Sequence, residues 1–352
     1  MPENLYLLNY IIIGGLLGAT LNYFQFGFSS SFRSLIVDNN TLGFRALIWM
    51  LGLAILLFSP LLAIESWQGQ TFQGFIRPLS LAIPIGAFIF GIGMQIGCGC
   101  TSGTLNRVGQ LQPLSFITLS FMIIGGTIAA ATFNEWQALP TLLPIAFQNS
   151  FGWLPGLVIQ LIILLGLYKA LIWHEKKHRG DIDPLFSASN RRFHPFLLAG
   201  LILAILNAAL LLTTGSPWSI SSAFPFWGTK LINLIGLPIE WSYWDYALEN
   251  SHSINQGLTE NPVSLTTIGV IFGAFIVSII HPRAKVKISP LRLMMSIVGG
   301  LIMGFGAVMA SGCNIGAFFS GIASGSLHGW IWLVFALLGN ILGLRVRAYL
   351  IK

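Results

Sequence analysis

The stretch GMQIGCGCTSGTLNRVG, Gly93 to Gly109, closes an apolar run with two cysteines, a cluster of glycines and a polar tail. Irregular backbone at membrane depth survives only where protein buries it or a polar cavity solvates it. A second stretch, GAVMASGCNIGAFFSG from Gly306 to Gly321, sets the same chemistry 213 positions later. At that offset Gly86 aligns with Gly299, Gly91 with Gly304, Gly93 with Gly306, Gly99 with Gly312, Cys100 with Cys313, Gly103 with Gly316 and Gly126 with Gly339, without a gap. A looser echo links FGFSSSF (26–32) with WSISSAF (218–224). The chain is therefore read as two copies of one unit.

Composition says where those units sit. Of 352 residues, 55% are hydrophobic and 8% charged, against roughly 25% charged in an ordinary soluble domain. Apolar runs of bilayer length, about 20 residues each, fall at 5–27, 46–64, 79–98, 114–133, 153–173, 196–214, 263–281, 291–311 and 327–344. The fold class expected is an all-α polytopic membrane protein of about nine transmembrane helices with short half helices. The first run is read as a retained helix, because MPENLYLLNY carries Glu3 and no Lys or Arg, the reverse of a basic signal n-region. The formal charge of +7 lies in short loops, so it is read as a topology signal, with no nucleic-acid partner.

The basic segments at 174–194, at 281–287 and at the C-terminus are expected to face the cytoplasm. The acidic stretch from Glu240 to Glu260, without Lys or Arg, is expected outside, with residues 226–248 interfacial rather than spanning. That assignment puts the N-terminus outside and the C-terminus inside, and it runs the span at 79–98 opposite to its copy at 291–311. The expected organisation is one membrane domain in inverted halves, 1–173 and 196–352, joined by a cytoplasmic loop at 174–195. Inverted repeats carry their substrate site at the repeat interface near the midplane.

Gly91, Gly93, Gly304 and Gly306 are read as helix-contact glycines. The breaks themselves are read as functional. A helix starting at Thr101 or Ser102 aims its positive end inward and attracts anions, and Asn314 is a candidate cap for a matching helix in the second copy. All three cysteines, Cys98, Cys100 and Cys313, lie at the breaks beside Gly99 and Gly312. No histidine or carboxylate adjoins them in sequence, which argues against zinc, a resident cofactor or an enzymatic nucleophile. The six histidines are placed in loops, at helix ends or, for His328, at the start of the last span, where most are solvated or interfacial. Cys98 has no cysteine mate, and for it a small hydrophobe and a functional thiol weigh equally. A thiol is a soft, weak S–H donor, which suits a soft sulfur anion. Arg107 follows the first break and is both a candidate anion exit and an ordinary positive-inside anchor.

The runs GCGCTSGTLNRVG and ASGCNIGAFFSGIASGSLHGWIW, with SPWSISSAF between them, resemble the YeeE/YedE family of bacterial inner-membrane sulfur transporters over nearly the whole chain. The resemblance implies an hourglass-shaped inverted-repeat fold. It also implies thiosulfate passing between cysteine thiols at a constriction, with Cys100 and Cys313 in two of the family's three cysteine positions. At the third, QFGFSSSFR places Gly27. Thr104 stands where thiosulfate members commonly carry His, a departure that leans toward the YedE branch associated with selenium metabolism. The family also implies a small soluble sulfur carrier of the TusA type, which the basic 174–194 loop is placed to meet. Uptake of thiosulfate or a similar anion is thus the leading expectation. A selenium-compound transporter and a membrane sulfur-transfer or redox protein with reactive cysteines stand as alternatives.

Overall fold

The structure is a computed structural model, and it describes residues 3–97, 99–186, 194–236, 250 and 255–351. The elements run α1 (Glu3–Phe24), α2 (Phe28–Val37), α3 (Leu42–Ile64), α4 (Ala82–Ile96), α5 (Thr101–Gly109), α6 (Pro113–Ala131), α7 (Phe133–Gln137), α8 (Phe147–Phe151), α9 (Trp153–Arg179), α10 (Pro195–Thr214) and α11 (Ala223–Leu234). Then follow α12 (Pro262–Ile280), α13 (Pro290–Met309), a π-helical segment (Asn314–Gly321) and α14 (Leu327–Ile351). Strands are confined to two short antiparallel pairs, one joining Ser66–Trp67 to Gln70–Thr71 and one joining Leu79–Ser80 to Thr141–Leu142. Among the described residues, nine helical stretches are long and apolar enough to cross a membrane, and they fall on the nine runs read from the sequence. The chain is an all-α polytopic membrane protein.

Local chemistry fixes where these helices start. α6, α10, α12 and α13 each begin with proline, whose missing N–H falls where a helix leaves it unpaired anyway. Asn261 caps α12 by accepting from Ser264 N at 2.9 Å, and Ser289 caps α13 by accepting from Arg292 N at 3.3 Å. The segment expected to join the halves begins as helix, because α9 runs on to Arg179. The expectation that 226–248 lies along the interface falls partly outside the described residues: α11 covers it to Leu234, and description stops at Gly236 and resumes at Asn250.

The glycines shared by the copies set how the helices meet. A methyl on Gly86 would fall 2.9 Å from Gly306 O, and one on Gly306 would fall 2.6 Å from Gly86 O. Likewise a methyl on Gly93 would fall 2.9 Å from Gly299 O, and one on Gly299 would press on Gly93 and Gly97. Residue numbers rise along α4 as they fall along α13, so this central pair is antiparallel. The flanking pairs run parallel: Gly91 of α4 lies on Ala336 and Asn340 of α14, and Gly304 of α13 lies on Met122 of α6. Backbones this close need residues without side chains.

Among the described residues, one ionic cluster is buried. Glu175, at the far end of α9, is fully enclosed and pairs with Arg45 of α3 at 2.9 Å, while Thr41 donates to the same carboxylate oxygen. Arg45 also donates to Asp183 O at 2.7 Å, and Arg179 bridges Glu175 and Asp183. The cluster fastens the chain after α9 to the start of α3. Sequence reading ended its spans at 46 and 173 and so missed a charge pair lying just beyond both.

Candidate functional site

The two breaks match bond for bond. In the first, Gly97 N donates to Gly93 O at 2.8 Å, Gly99 N to Met94 O at 3.1 Å and Thr104 N to Cys100 O at 2.8 Å. In the second, Ala310 N donates to Gly306 O at 2.9 Å, Gly312 N to Ala307 O at 2.9 Å and Ala317 N to Cys313 O at 2.9 Å. Each of these pairs differs by the same 213 positions. The backbone enters the left-handed region at Ser311 (φ 53°) and Gly312 (φ 159°), which turns the chain back into the protein after α13.

In both copies the residue capping the new helix is the cysteine. Cys100 is extended and its Sγ accepts from Gly103 N at 3.4 Å; Cys313 is extended and its Sγ accepts from Ile315 N at 3.5 Å. The expected start at Thr101 is observed. The expected cap at Asn314 is corrected: Cys313, one residue earlier, takes that place, because its extended backbone turns the thiol onto the first free amides. Asn314 lies inside the segment and donates through Nδ2 to Ser102 Oγ at 3.0 Å, a bond spanning 212 residues. The continuations differ, α-helical after Cys100 and π-helical after Cys313, where Phe318 N reaches back to Cys313 O at 3.4 Å.

The join between the copies is buried and incompletely satisfied. Cys100 is 1% exposed and Cys313 fully buried, both as free thiols. The Thr101 hydroxyl lies against the Cys313 thiol without a hydrogen-bond partner of good geometry, and Asn314 Oδ1 is also unpartnered. Thr101 and Asn314 are themselves repeat mates. Buried polar atoms left unpaired cost about 1–3 kcal/mol each, so a site that keeps two of them beside two thiols has room for a ligand's hydrogen bonds.

Polar cavities flank the join. On one side a cavity of about 310 Å³ reaches Cys100 and Ser102 and is lined by Gly27, Arg33, Arg107 and Arg347. Arg107 folds back over the break, where a methyl on Gly99 would fall 3.7 Å from its Nη1. An adjoining cavity of about 470 Å³ shares Arg107 and Arg347 and adds Arg283 and Arg292. Gln112 holds that wall by donating to Ala284 O at 2.9 Å and accepting from Val286 N at 2.9 Å. On the opposite side two cavities of about 390 and 360 Å³ share Phe75, Arg77, Ser219 and Ser222, and the first reaches Ser311. Among the described residues, no Asp or Glu lines any of these four. Arginine without carboxylate is the electrostatics of an anion path.

A family model described as sulphur transport matches residues 25–342. The chain belongs to the sulphur transport family, the YeeE/YedE group. The thiosulfate transporter TsuA of Spirochaeta thermophila is 26% identical over 94% of this chain and 96% of its own length. TsuA of Escherichia coli K12 is 26% identical over 95% and 92%. The probable transporter YedE of Escherichia coli K12 is 34% identical over a shorter stretch, 40% of this chain and 36% of its own.

Set in the sulphur transport family, the residues singled out from sequence divide clearly. Gly99, Cys100, Thr101, Ser102, Gly312, Cys313 and Asn314 come together, and Arg107 lies on the cavity that reaches Cys100. Cys98 lies outside the described residues; its repeat mate is Ser311. Gly27 caps α2 and faces the same cavity as Cys100, and a Cβ there would meet only the side chain of Ser30. His328 corrects an expectation: it is fully buried rather than solvated or interfacial, because the chain before α14 turns inward and seats it against Gly321 and Phe75. Sequence reading also missed Arg33, Arg77 and Arg347 as cavity residues. Arg33 and Arg77 read alone as isolated basic residues and Arg347 as part of the basic C-terminal segment, and only the fold assembles them.

Proposed function

We propose that this chain carries thiosulfate or a closely similar soft sulfur anion across the bacterial inner membrane, handing it from Cys313 to Cys100. One observation carries the reading: two thiol-capped helix starts from different copies of one unit meet at a buried join with unpaired polar atoms, between cavities whose described lining carries arginine and no carboxylate. An S–H group donates weakly to a polarizable sulfur atom. A site of weak donors binds an anion without trapping it, as conduction requires. The thiols bind rather than react, so the role is transport and not catalysis.

The antiparallel contact of α4 with α13 supports an inverted pair of repeats, 1–173 and 196–352, joined through 174–195. With the basic loops facing the cytoplasm, the Arg107 cavities open inward and the Arg77 cavities outward. An anion then enters past Arg77, meets Cys313, then Cys100, and leaves past Arg107. The N-terminus lies outside and the C-terminus inside, where the basic loop is placed to meet a carrier of the TusA type. A selenium compound is the second reading, favoured by Gly27 and Thr104 in place of the family's cysteine and histidine.

Thiosulfate uptake into proteoliposomes tests the proposal. Cys100→Ala and Cys313→Ala are each expected to lower uptake by tenfold or more, roughly 1.4 kcal/mol at the barrier. Wild-type uptake in both variants overturns the thiol path. Competition among thiosulfate, sulfite, sulfate, selenite and sulfide then ranks the sulfur and selenium readings, and mass spectrometry separates binding thiols from persulfide-forming ones.

A further inference from the structure

The two copies differ in what covers them. Gly103 and Gly316 are repeat mates; Gly103 N donates to the Cys100 thiol, and Gly316 directly follows Ile315, whose N–H donates to the Cys313 thiol. A methyl on Gly103 would touch only the Cys100 sulfur, at 3.4 Å, and Gly103 lines the Arg107-side cavity. A methyl on Gly316 would instead fall 3.0 Å from Cζ of Phe75. The Phe75 ring thus lies over the second copy at the position where the first is open.

Phe75 sits in an irregular stretch between α3 and α4, pinned by its N–H donating to Ser324 Oγ at 2.9 Å. The Arg77 guanidinium rests on its ring, 4.6 Å from the centroid, and both residues line the two Arg77-side cavities. Under the ring is His328, 5.8 Å away between centroids and fully buried. Its Nδ1 lies 2.6 Å from Ser326 Oγ, while its Nε2 has no partner. That nitrogen faces Gly321, where an added Cβ would fall 3.2 Å from it. A native protein seldom leaves such an atom unsatisfied.

We infer that His328 Nε2 is a second anion-binding position on the path, and that Phe75 is the lid over it. The inference rests on the transport reading above. With the Ser326 hydroxyl donating to Nδ1, the imidazole proton sits on Nε2 and the orphan becomes an N–H donor. Gly316 and Gly321 keep the floor of this position free of side chains. When the Phe75 ring leaves Gly316, the outer cavity extends to Nε2 and to the turn that carries Cys313. The arrangement seen here is open at Cys100 and closed at Cys313, one of the two states that alternating access requires.

Two measurements test it. In a Cys98→Ser, Cys100→Ser background, Cys313 is the sole thiol. A membrane-impermeant methanethiosulfonate added from outside is expected to leave it unmodified with Phe75 present and to modify it in Phe75→Ala, with thiosulfate slowing the reaction. An unreactive Cys313 in Phe75→Ala overturns the lid; Phe75→Val serves the same comparison if the alanine variant does not elute as folded protein. For the binding position, His328→Ala is expected to raise the KM for thiosulfate about tenfold, and His328→Gln, which keeps an N–H donor, to recover most of it. An unchanged KM in His328→Ala overturns that position. A wild-type protein that takes up no thiosulfate overturns the proposed function instead; the labelling of Cys313 in Phe75→Ala does not depend on it, whereas its slowing by thiosulfate does.

Discussion

Gly27 shows what a single residue decides. It faces the cavity that reaches Cys100, its φ of −125° suits any residue, and only the flexible Ser30 side chain stands in the way of a Cβ. Gly27→Cys is therefore expected to fold and to add a third S–H donor. The readout is a shift in the competition panel toward thiosulfate; a panel unchanged from wild type shows that the cavity reads its anion elsewhere. Asn314 decides something different, because its amide joins the two copies. Asn314→Ala leaves Ser102 without its donor and is expected to lower thermal stability by about 1–2 kcal/mol, measured as the unfolding midpoint in detergent. Both cysteines and the start at Thr101 were legible in the sequence, since thiols are rare and a Gly-rich break in an apolar run is conspicuous. The roles of Cys313 and Asn314 were not, because capping depends on a backbone angle one residue earlier than composition suggests.

At the scale of elements, the buried pair Arg45–Glu175 ties α3 to α9. Glu175→Gln leaves the Arg45 charge enclosed without its counterion and is expected to cost about 3–5 kcal/mol. Replacing both residues by Met and Leu is expected to recover most of that loss, and the comparison of unfolding midpoints measures it. Asp183, in the chain after α9, ties the stability of this region to pH. The Arg179 hydrogen bond and charge hold its carboxyl below the ordinary value, against the opposing effect of burial. Its contribution is therefore present above the unfolded value near 3.8 and is lost as pH falls through the lower folded value. Asp183→Asn is expected to weaken the protein at neutral pH and to flatten the acid end of its stability profile. The nine spans were legible because each needs about 20 apolar residues. This charge cluster was not, since its members lie just outside those runs and meet only through the fold.

Across the whole molecule, the described lining of the four cavities carries arginine and no carboxylate, while Glu175 and Asp183 are paired apart from them. Arg107→Gln and Arg347→Gln are each expected to raise the KM about tenfold, with an effect that shrinks as salt rises, measured as uptake at several ionic strengths. A KM insensitive to both substitutions removes these residues from the path. Sequence offsets aligned the two cysteine-bearing stretches, but did not show which of them is covered. Phe75 belongs to neither repeated motif, and its place on Gly316 is a matter of tertiary contact alone.

The reciprocal contacts of Gly86 with Gly306 and of Gly93 with Gly299 have a consequence for how such a chain varies over generations. Two stretches of a chain that only resemble one another are ordinarily free to drift apart. Here each glycine is the space its partner's backbone occupies, so a side chain gained in one half is felt in the other. Gly86→Leu is expected to destabilise by about 1–3 kcal/mol or more, and no change at Gly306, already the smallest residue, can relieve it. The two halves can diverge at their cavities, lids and loops, but along this line they are inherited as one.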